Sequence, residues 1–380
     1  HHLPGRERPA AIVMVNPNLP EEPFPGKSLA GVGVVFYVLA ALARLLGEAG
    51  VLDPGEAQKI VLDGLDLVAL GTVADLVPLD FNNRVLVAEG LRRIRAGKAR
   101  PGLQALFRAA GRDVSHASAA DLGFAIAPRL NAAGRLDDMS VGINCLLAES
   151  ARDALPLAEQ LDQLNHDRRE LQERMEGEAR AHLKTARSAL EQGDADGYCL
   201  YDPAWHEGIV GLVASRIKDQ VRRPVVAFAD AGDPGVLKGS ARSVQGVHIR
   251  DVLDAVAASE PGLIPRFGGH AMAAGLSLRA DELPRFRAAF LRQLAAHGDL
   301  LRQPDVIWSD GDLEPRDLGL DLARQLAAAG PWGQAFPEPL FDGALEVLES
   351  RVLKDRHLKM TVRHPAGGGP IDAIAFNQSE

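Results

Sequence analysis

The chain has 380 residues, too many for one hydrophobic core, so two or three domains are expected. With 46% hydrophobic and 24% charged residues, no apolar run near the roughly 20 residues of a membrane span and no signal-like start, neither an integral membrane protein nor a membrane partner is expected. Forty-two Lys and Arg against 51 Asp and Glu give a net charge of −9, which excludes coating nucleic acid by bulk charge but leaves room for a local basic groove or a carboxylate-rich metal site.

His1-His2-Leu3-Pro4-Gly5 opens the chain and, by itself, reads equally well as the remains of a purification tag. Residues 10–15 form a short apolar run, a buried-strand signal closed by Asn16-Pro17-Asn18. Gly26-Lys27-Ser28 resembles the end of a phosphate-binding loop, but Glu21 stands where the first glycine belongs. Gly31-Val32-Gly33 lacks the third glycine of a dinucleotide fingerprint, since Phe36 occupies it. Residues 34–46 read as a buried helix. Residues 65–70 are a second strand candidate, running into Gly71-Thr72-Val73-Ala74-Asp75-Leu76-Val77-Pro78. A carboxylate just past a buried strand sits where open α/β sheets place ligands, although Asp75 is also an acceptable helix N-cap. Arg129 and Arg135 then bracket Leu130-Asn131-Ala132-Ala133-Gly134, read as a polar, small-residue turn. Arginine's planar fork suits phosphate.

Leu157, Leu161, Leu164, Leu171 and Met175 recur at helical spacing among Asp, Glu, Arg and Gln. Residues 151–187 therefore read as one long amphipathic helix, a spacer between domains in preference to a coiled-coil stripe. Residues 198–201 and 224–229 are strand candidates. Between them, Asp202-Pro203 starts a helix expected to contain Gly208 and Gly211, each costing about 1 kcal/mol against Ala. Close packing or a ligand must offset that. Residues 237–243 read Leu-Lys-Gly-Ser-Ala-Arg-Ser, and in a strand Ser240 and Arg242 point to one face, a plausible anion pocket. Arg266 to Gly275 reads Arg-Phe-Gly-Gly-His-Ala-Met-Ala-Ala-Gly, a Gly-Gly turn with His270 and then small residues that suit a closely packed helix. Short strand-like runs at residues 340–353, 358–362 and 373–376 suggest a small β-barrel. Its neighbours Trp308, Trp332, Phe336 and Phe341 suit either a core or base stacking. Cys145 and Cys199 stand alone, which disfavours a disulfide framework or thiolate zinc site and fits a reducing cytoplasm.

Taken together these motifs resemble the DHH/DHHA1 phosphoesterases, and within that family the bacterial exonucleases specific for single-stranded DNA. His1-His2-Leu3-Pro4 resembles the tail of the Asp-His-His motif, and residues 71–78 the later aspartate motif. Residues 129–135 match Arg-x-Asn-Ala-x-Gly-Arg. Residues 205–216, 239–243 and 268–275 resemble DHHA1 signatures. Residues 330–341 resemble the start of an oligonucleotide-binding barrel, with Gln334-Ala335-Phe336 departing from the usual Gly-Asn version.

The resemblance implies an α/β fold: the C-terminal part of a DHH domain over 1–150, a connecting helix over 151–190, a DHHA1 substrate-binding domain over 191–300 and a partial OB-fold over 301–380. It implies two-metal hydrolysis with Mn²⁺ or Mg²⁺ that degrades single-stranded DNA from the 5′ end to 5′-mononucleotides, in repair and recombination. His1 and Asp75 would ligate metal, and His2 would stabilise the scissile phosphate. Ser240 and Arg242 would hold a 5′-phosphate, with Arg135 and His270 lining the strand's path and Arg129 and His206 as further phosphate or DNA contacts. Single-stranded DNA is the implied partner, with a single-strand-binding protein and a helicase as protein partners to test. The family's first aspartate motifs precede the His pair, so the chain as given is expected to be a fragment that does not assemble the two-metal site. The alternatives are another phosphoesterase of the superfamily, acting on short oligonucleotides, cyclic dinucleotides or pyrophosphate, and a non-catalytic single-strand-binding module.

Overall fold

The computed structural model describes residues 10–189, 196–301, 306–355, 357–376 and 378. It divides into two compact units, one of residues His1–Ala127 with Val306–Glu380 and one of Pro128–Asp305.

The first unit begins with helices α1 (Gly31–Glu48), α2 (Pro54–Asp63), α3 (Leu65–Ala74), α4 (Phe81–Arg95), α5 (Pro101–Ala109) and the short α6 (Ala119–Asp121). Local chemistry sets their starts. The Asp53 side chain accepts from the Gly55 and Glu56 amides just before Pro54, and Asp80 accepts from the Asn83 amide. Ser118 and Asp121 form a reciprocal capping box.

Three sequence expectations fail here. Residues 10–15 are irregular and largely exposed, with no strand partner among the described residues. Residues 65–70 are helical, not a strand: Leu65, Asp66, Val68, Ala69, Leu70 and Thr72 are all buried, so the run has no polar face and no readable period. The buried helix expected at 34–46 forms as α1 but buries only Gly33 and Ala43, leaving Val35, Val38, Leu42 and Leu45 exposed. By length and composition alone, α1 is long and apolar enough to cross a membrane. Its inner side packs Val32, Val34, Phe36 and Tyr37 against Leu65, Val68 and Leu86. Helices α3 and α4 meet closely at Gly90, where a Cβ would strike the Leu65 carbonyl and the Ala69 side chain.

The second unit opens with α7 (Ala127–Leu136), which follows a π-helical turn over Leu122–Ile126, then α8 (Ser140–Leu147) and the 39-residue α9 (Ala151–Ala189). The 129–135 segment is thus helical and not a turn. The remaining elements alternate: β1 (Tyr198–Tyr201), α10 (Val210–Val221), β2 (Val225–Asp230), β3 (Val236–Arg242), α11 (Ile249–Ser259), β4 (Arg266–Gly269), β5 (Ala273–Arg279), α12 (Leu283–Ala295) and α13 (Gly298–Leu301). The sheet runs β1-β2-β3-β5-β4, with β1 and β2 parallel and the other pairs antiparallel.

Helices cover both faces of this sheet. On one, Phe228, Leu237, Ala241, Leu276 and Leu278 pack against α11 and α12. On the other, Tyr198, Leu200, Val225 and Ala227 pack against α10 and the Leu171, Met175 and Ala179 stripe of α9. Residues 202–209 form turns, so Gly208 precedes the helix expected to contain it and Gly211 falls in the first turn of α10. The small residues after His270 belong to β5, not to a helix.

The chain then returns to the first unit. α14 (Leu320–Ala329) precedes a three-stranded antiparallel sheet of β6 (Glu346–Leu353), β7 (His357–Arg363) and β8 (Ile371–Ala375), in that order. Between them, Trp332 stacks on Phe336 at 5.0 Å, and the Arg84 guanidinium lies 3.9 Å from the Phe336 ring centre. The Leu79 amide donates to the Gln334 carbonyl at 2.7 Å. Trp332 and Phe336 therefore fasten this segment to α4, while Trp308 is 86% exposed. The fold is α/β overall, and the small sheet fits part of an OB-like barrel.

Candidate nucleic-acid interface

Period-two alternation along β3 divides its residues between two jobs. Leu237, Gly239 and Ala241 face the core, and a Cβ on Gly239 would strike Phe228 and Leu276. Lys238, Ser240 and Arg242 face the other way. Arg242 Nη1 donates to Ser240 Oγ at 2.9 Å and to the Ala241 carbonyl at 2.9 Å. Gly239 thus serves packing, while its neighbours make the pocket.

Gly211 of α10 lies directly over that pair. A Cβ there would come 2.8 Å from Arg242 Nη2 and 2.9 Å from Ser240 Oγ. The glycine noted in the sequence as costly to a helix is the one that admits the arginine. Arg135, at the end of α7, donates from Nη1 to the Gly208 carbonyl at 3.1 Å. The Gly208 amide in turn donates to His206 Nδ1 at 3.1 Å, which sets the exposed imidazole. Burial and the Arg135 charge together push the Arg242 pKa down, and burial does the same to Arg135. Neither arginine has a carboxylate partner among the described residues. A partly buried guanidinium beside a more exposed one, with no counter-ion among the described residues, suits an anion supplied from outside.

The rest of this face is bare. Across the sheet, Ser240 is level with Gly275, and Gly275 with Gly268. A Cβ on either glycine would meet nothing within 4 Å. Packing does not require these two glycines, so they leave an open shelf beside the pocket. Gly269 is different: its φ of +153° and the crowding of Ala273 and Ala274 demand glycine for the hairpin between β4 and β5. His270 sits exposed at that hairpin, its amide donating to the Ala273 carbonyl at 2.8 Å. One register row further along, Lys238 of β3, ion-paired with Glu207 at 2.6 Å, and Arg266 of the edge strand β4 flank Ser277.

Arg129 does not join this group. Six residues before Arg135 on a helix, it points elsewhere. It is 8% exposed, and Nε and Nη2 both meet Asp162 of α9, at 2.8 and 2.7 Å. Its place is to tie α7 to α9 and so fix the end of α7 that carries Arg135. Sequence reading passed over Arg168, which lay among many charges on a long helix. Yet Asn165 and Arg168 fall on the same stripe as Leu161 and Met175, and Asn165 is 1% exposed. A polar pair interrupting an apolar stripe was the available signal.

Asp75 lies in the first unit, exposed at the C-cap of α3, with no side-chain hydrogen bond or ion pair among the described residues. His1 and His2 lie outside the described residues. Among the described residues, no three His, Cys, Asp or Glu side chains converge to hold a metal ion. Asp75 alone is chemically suited to Mg²⁺ or Mn²⁺ but does not make a two-metal centre.

A family model for the DHHA1 domain matches residues 196–296, and one for the RecJ OB domain matches residues 309–380. The chain is 52% identical over 382 residues to the single-stranded-DNA-specific exonuclease RecJ of Dickeya dadantii, covering 99% of this chain and 65% of that protein. It therefore spans about two-thirds or less of the curated relatives it matches. The crystal structure of RecJ in complex with Mg²⁺ from Thermus thermophilus is similar, with a TM-score of 0.71 and 34% identity over 96% of this chain and 52% of that one. A crystal structure of exonuclease RecJ bound to manganese matches with a TM-score of 0.56 and 35% identity, over 80% of this chain and 69% of that one.

Proposed function

Because this chain belongs to the RecJ family of DHH/DHHA1 phosphoesterases, we propose that the whole protein is an exonuclease acting on single-stranded DNA and that the second unit grips its strand. The observation that carries this is the Arg242–Ser240 pair beneath Gly211, with Arg135 nearby and no carboxylate to neutralise either arginine among the described residues. A terminal 5′-phosphate has the charge and oxygen geometry to bridge these groups. The strand would then run over the Gly268 and Gly275 shelf past His270, with His206 at the rim.

Digestion would proceed from the 5′ end and release 5′-mononucleotides, serving repair and recombination. When bound, paired Mn²⁺ or Mg²⁺ ions would activate water and neutralise charge on the phosphate oxygens. Asp75 and His1 would belong to that centre, and His2 would steady the scissile phosphate. A single-strand-binding protein and a helicase fit as partners of such an enzyme. Residues 191–300 form the gripping domain in this scheme, residues 301–380 an OB-type contact to the strand, and residues 1–150 and 151–190 the DHH portion and its connecting helix. We further propose that the 380-residue chain holds strands without cutting them, since Asp75 lacks converging metal ligands among the described residues.

The test is titration of labelled oligonucleotides in EDTA, followed by addition of Mn²⁺. Single strands should bind more tightly than duplexes, and 5′-phosphorylated ends more tightly than 5′-hydroxyl ends. Equal affinity for all four substrates would refute the proposed grip. Release of labelled mononucleotide on adding Mn²⁺ would refute the non-cutting part alone.

A further inference from the structure

From the side chains of α9 we infer that Arg168 is a third phosphate ligand of the strand-gripping pocket, held in place by the buried Asn165 and by Gln172. This inference rests on the proposed grip and adds a residue to it that neither the motifs nor the resemblance pointed to.

The stripe of α9 that faces the rest of the second unit reads Ala154, Ala158, Leu161, Asn165, Arg168, Met175, Ala179, at three-, four- and seven-residue spacing. All except Arg168 are essentially inaccessible to solvent, and Arg168 is half-buried. A solvated helix face would not bury an asparagine or leave an arginine at its inner edge. Arg168 Nη2 donates to Asn165 Oδ1 at 3.1 Å, and Nη1 donates to Gln172 Oε1 at 2.8 Å. Its Nε is buried and has no hydrogen-bond partner among the described residues. Two neutral acceptors therefore fix the plane of the guanidinium without neutralising it.

The adjacent carboxylate is engaged elsewhere. Gln172 Nε2 donates to Glu176 Oε1 at 2.7 Å, and Glu176 also lies 3.8 Å from Arg216 and 3.6 Å from Arg180. Gln172 thus stands between Arg168 and Glu176, two turns further along the same stripe. On the other side, α9 packs at Leu171 and Met175 against Leu136, Ile209 and Val210, which adjoin Arg135 and the first turn of α10. Glu176 lies beside Arg216 and Arg180 bonds Gln220, so α9 and α10 run side by side and Arg168 comes level with Gly208, whose carbonyl holds Arg135. The Arg135 charge, with Arg169 and Arg216, accordingly adds to burial in lowering the Arg168 pKa. Arg135 acts on Arg242 in the same way. Arg168 and Arg242, both partly buried, and the more exposed Arg135 gather on one side of this unit with no salt bridge to any of the three among the described residues. Such a group opposes folding unless an anion occupies it.

The ligand class is a nucleic-acid phosphate, either a terminal monoester or an internal diester. The test compares Arg168→Gln, Arg168→Lys and wild type as the full 380-residue chain in EDTA. Anisotropy with 5′-phosphorylated and 5′-hydroxyl oligothymidylate reads binding, and melting temperature with and without inorganic phosphate reads folding and anion linkage. Arg168→Gln should weaken binding about 10-fold or more. It should melt no lower than wild type without anion, because a charge facing like charges has been removed. Arg168→Lys should fall between. Loss confined to phosphorylated strands assigns Arg168 to the terminus, and equal loss on both strands assigns it to an internal phosphodiester. Gln172→Glu, which gives Arg168 a counter-ion, should weaken binding in the same direction. Binding by Arg168→Gln within two-fold of wild type overturns the inference, as does a clear fall in its melting temperature, which would make Arg168 a packing residue. If wild type does not bind strands but is stabilised by phosphate, and Arg168→Gln is not, the ligand role of Arg168 survives and the proposed grip fails. No phosphate response in wild type refutes both.

Discussion

Gly211→Ala should separate stability from recognition. In a helix, Ala is favoured over Gly by up to about 1 kcal/mol, so propensity alone predicts a more stable protein. The new methyl group, however, would lie 2.8 Å from Arg242 Nη2 and 2.9 Å from Ser240 Oγ, where ordinary contact begins at 3.4 Å. Both atoms sit at the ends of side chains that can rotate, so the clash is relieved by moving the arginine tip roughly half an ångström or more. The fold pays little for that movement. The pocket loses the Arg242–Ser240 geometry, a charge-assisted contact to the bound phosphate worth about 1.5–3 kcal/mol, or roughly 10- to 100-fold in Kd. Anisotropy titration in EDTA with 5′-phosphorylated and 5′-hydroxyl single strands gives the binding change, and a urea melt gives stability. The expected result is unchanged or slightly raised stability with the preference for phosphorylated ends abolished. An intact preference would show that Arg242 Nη2 and Ser240 Oγ are not the phosphate contacts.

Gly90→Ala should have the opposite profile. Its methyl would meet backbone at Leu65, which cannot rotate away, so a net loss of about 1–3 kcal/mol in a urea melt is expected with strand binding by the second unit unchanged. Asp162→Ala removes the carboxylate facing the buried Arg129. It should cost about 1–3 kcal/mol, between an exposed pair and a fully buried one because Asp162 is 44% exposed, and should weaken binding through the loosened Arg135. Burial pushes the Cys145 thiol up to about 11 and the Cys199 thiol up to about 12. Both folded values lie above the ordinary 9.0, so their stabilising effect is complete below pH 9 and declines as pH rises from there toward 11 and 12, by up to about 1.4 kcal/mol per pH unit for each thiol. Urea melts across that range test the slope, and a thiol reagent at pH 8 should modify neither cysteine until denaturant is added.

The β-rich parts of the chain were more legible than the helical ones. Strand alternation put Ser240 and Arg242 on one face from the sequence alone, because a period of two needs only a few residues to show. Residues 65–70 could not be read in that way. A helix buried on all sides and a buried strand both appear as an unbroken apolar run, and Asp66, held by Arg100 through two hydrogen bonds to its nitrogens and one to its backbone amide, has no counterpart in either pattern. Arg129 and Arg135 looked equivalent as a bracket around a turn. Six residues apart on α7, they face different neighbours, and only Arg135 reaches the Gly208 carbonyl. The glycine pair of 268 and 269 was singled out as one feature. It is two, since Gly269 answers a backbone angle and Gly268 leaves surface clear. Arg168 was invisible because composition counts charges without regard to whether a carboxylate stands opposite, and that distinction exists only in three dimensions.

β3 is the central strand of its sheet, with β2 on one side and β5 on the other. The amide of every second residue bonds to one neighbour and the intervening amides to the other, so the backbone beneath Ser240 and Arg242 has no free edge. Amides in such a strand exchange with deuterium only when the whole domain opens. The pocket should therefore have no partly melted form of its own, and a rise in its exchange rate would report global unfolding. A one-residue slip of β3 would turn Arg242 into the hydrophobic core and Ala241 out to the strand. The pairing that keeps the core together is the same pairing that keeps the guanidinium facing its ligand, so the pocket is as durable as the domain that carries it.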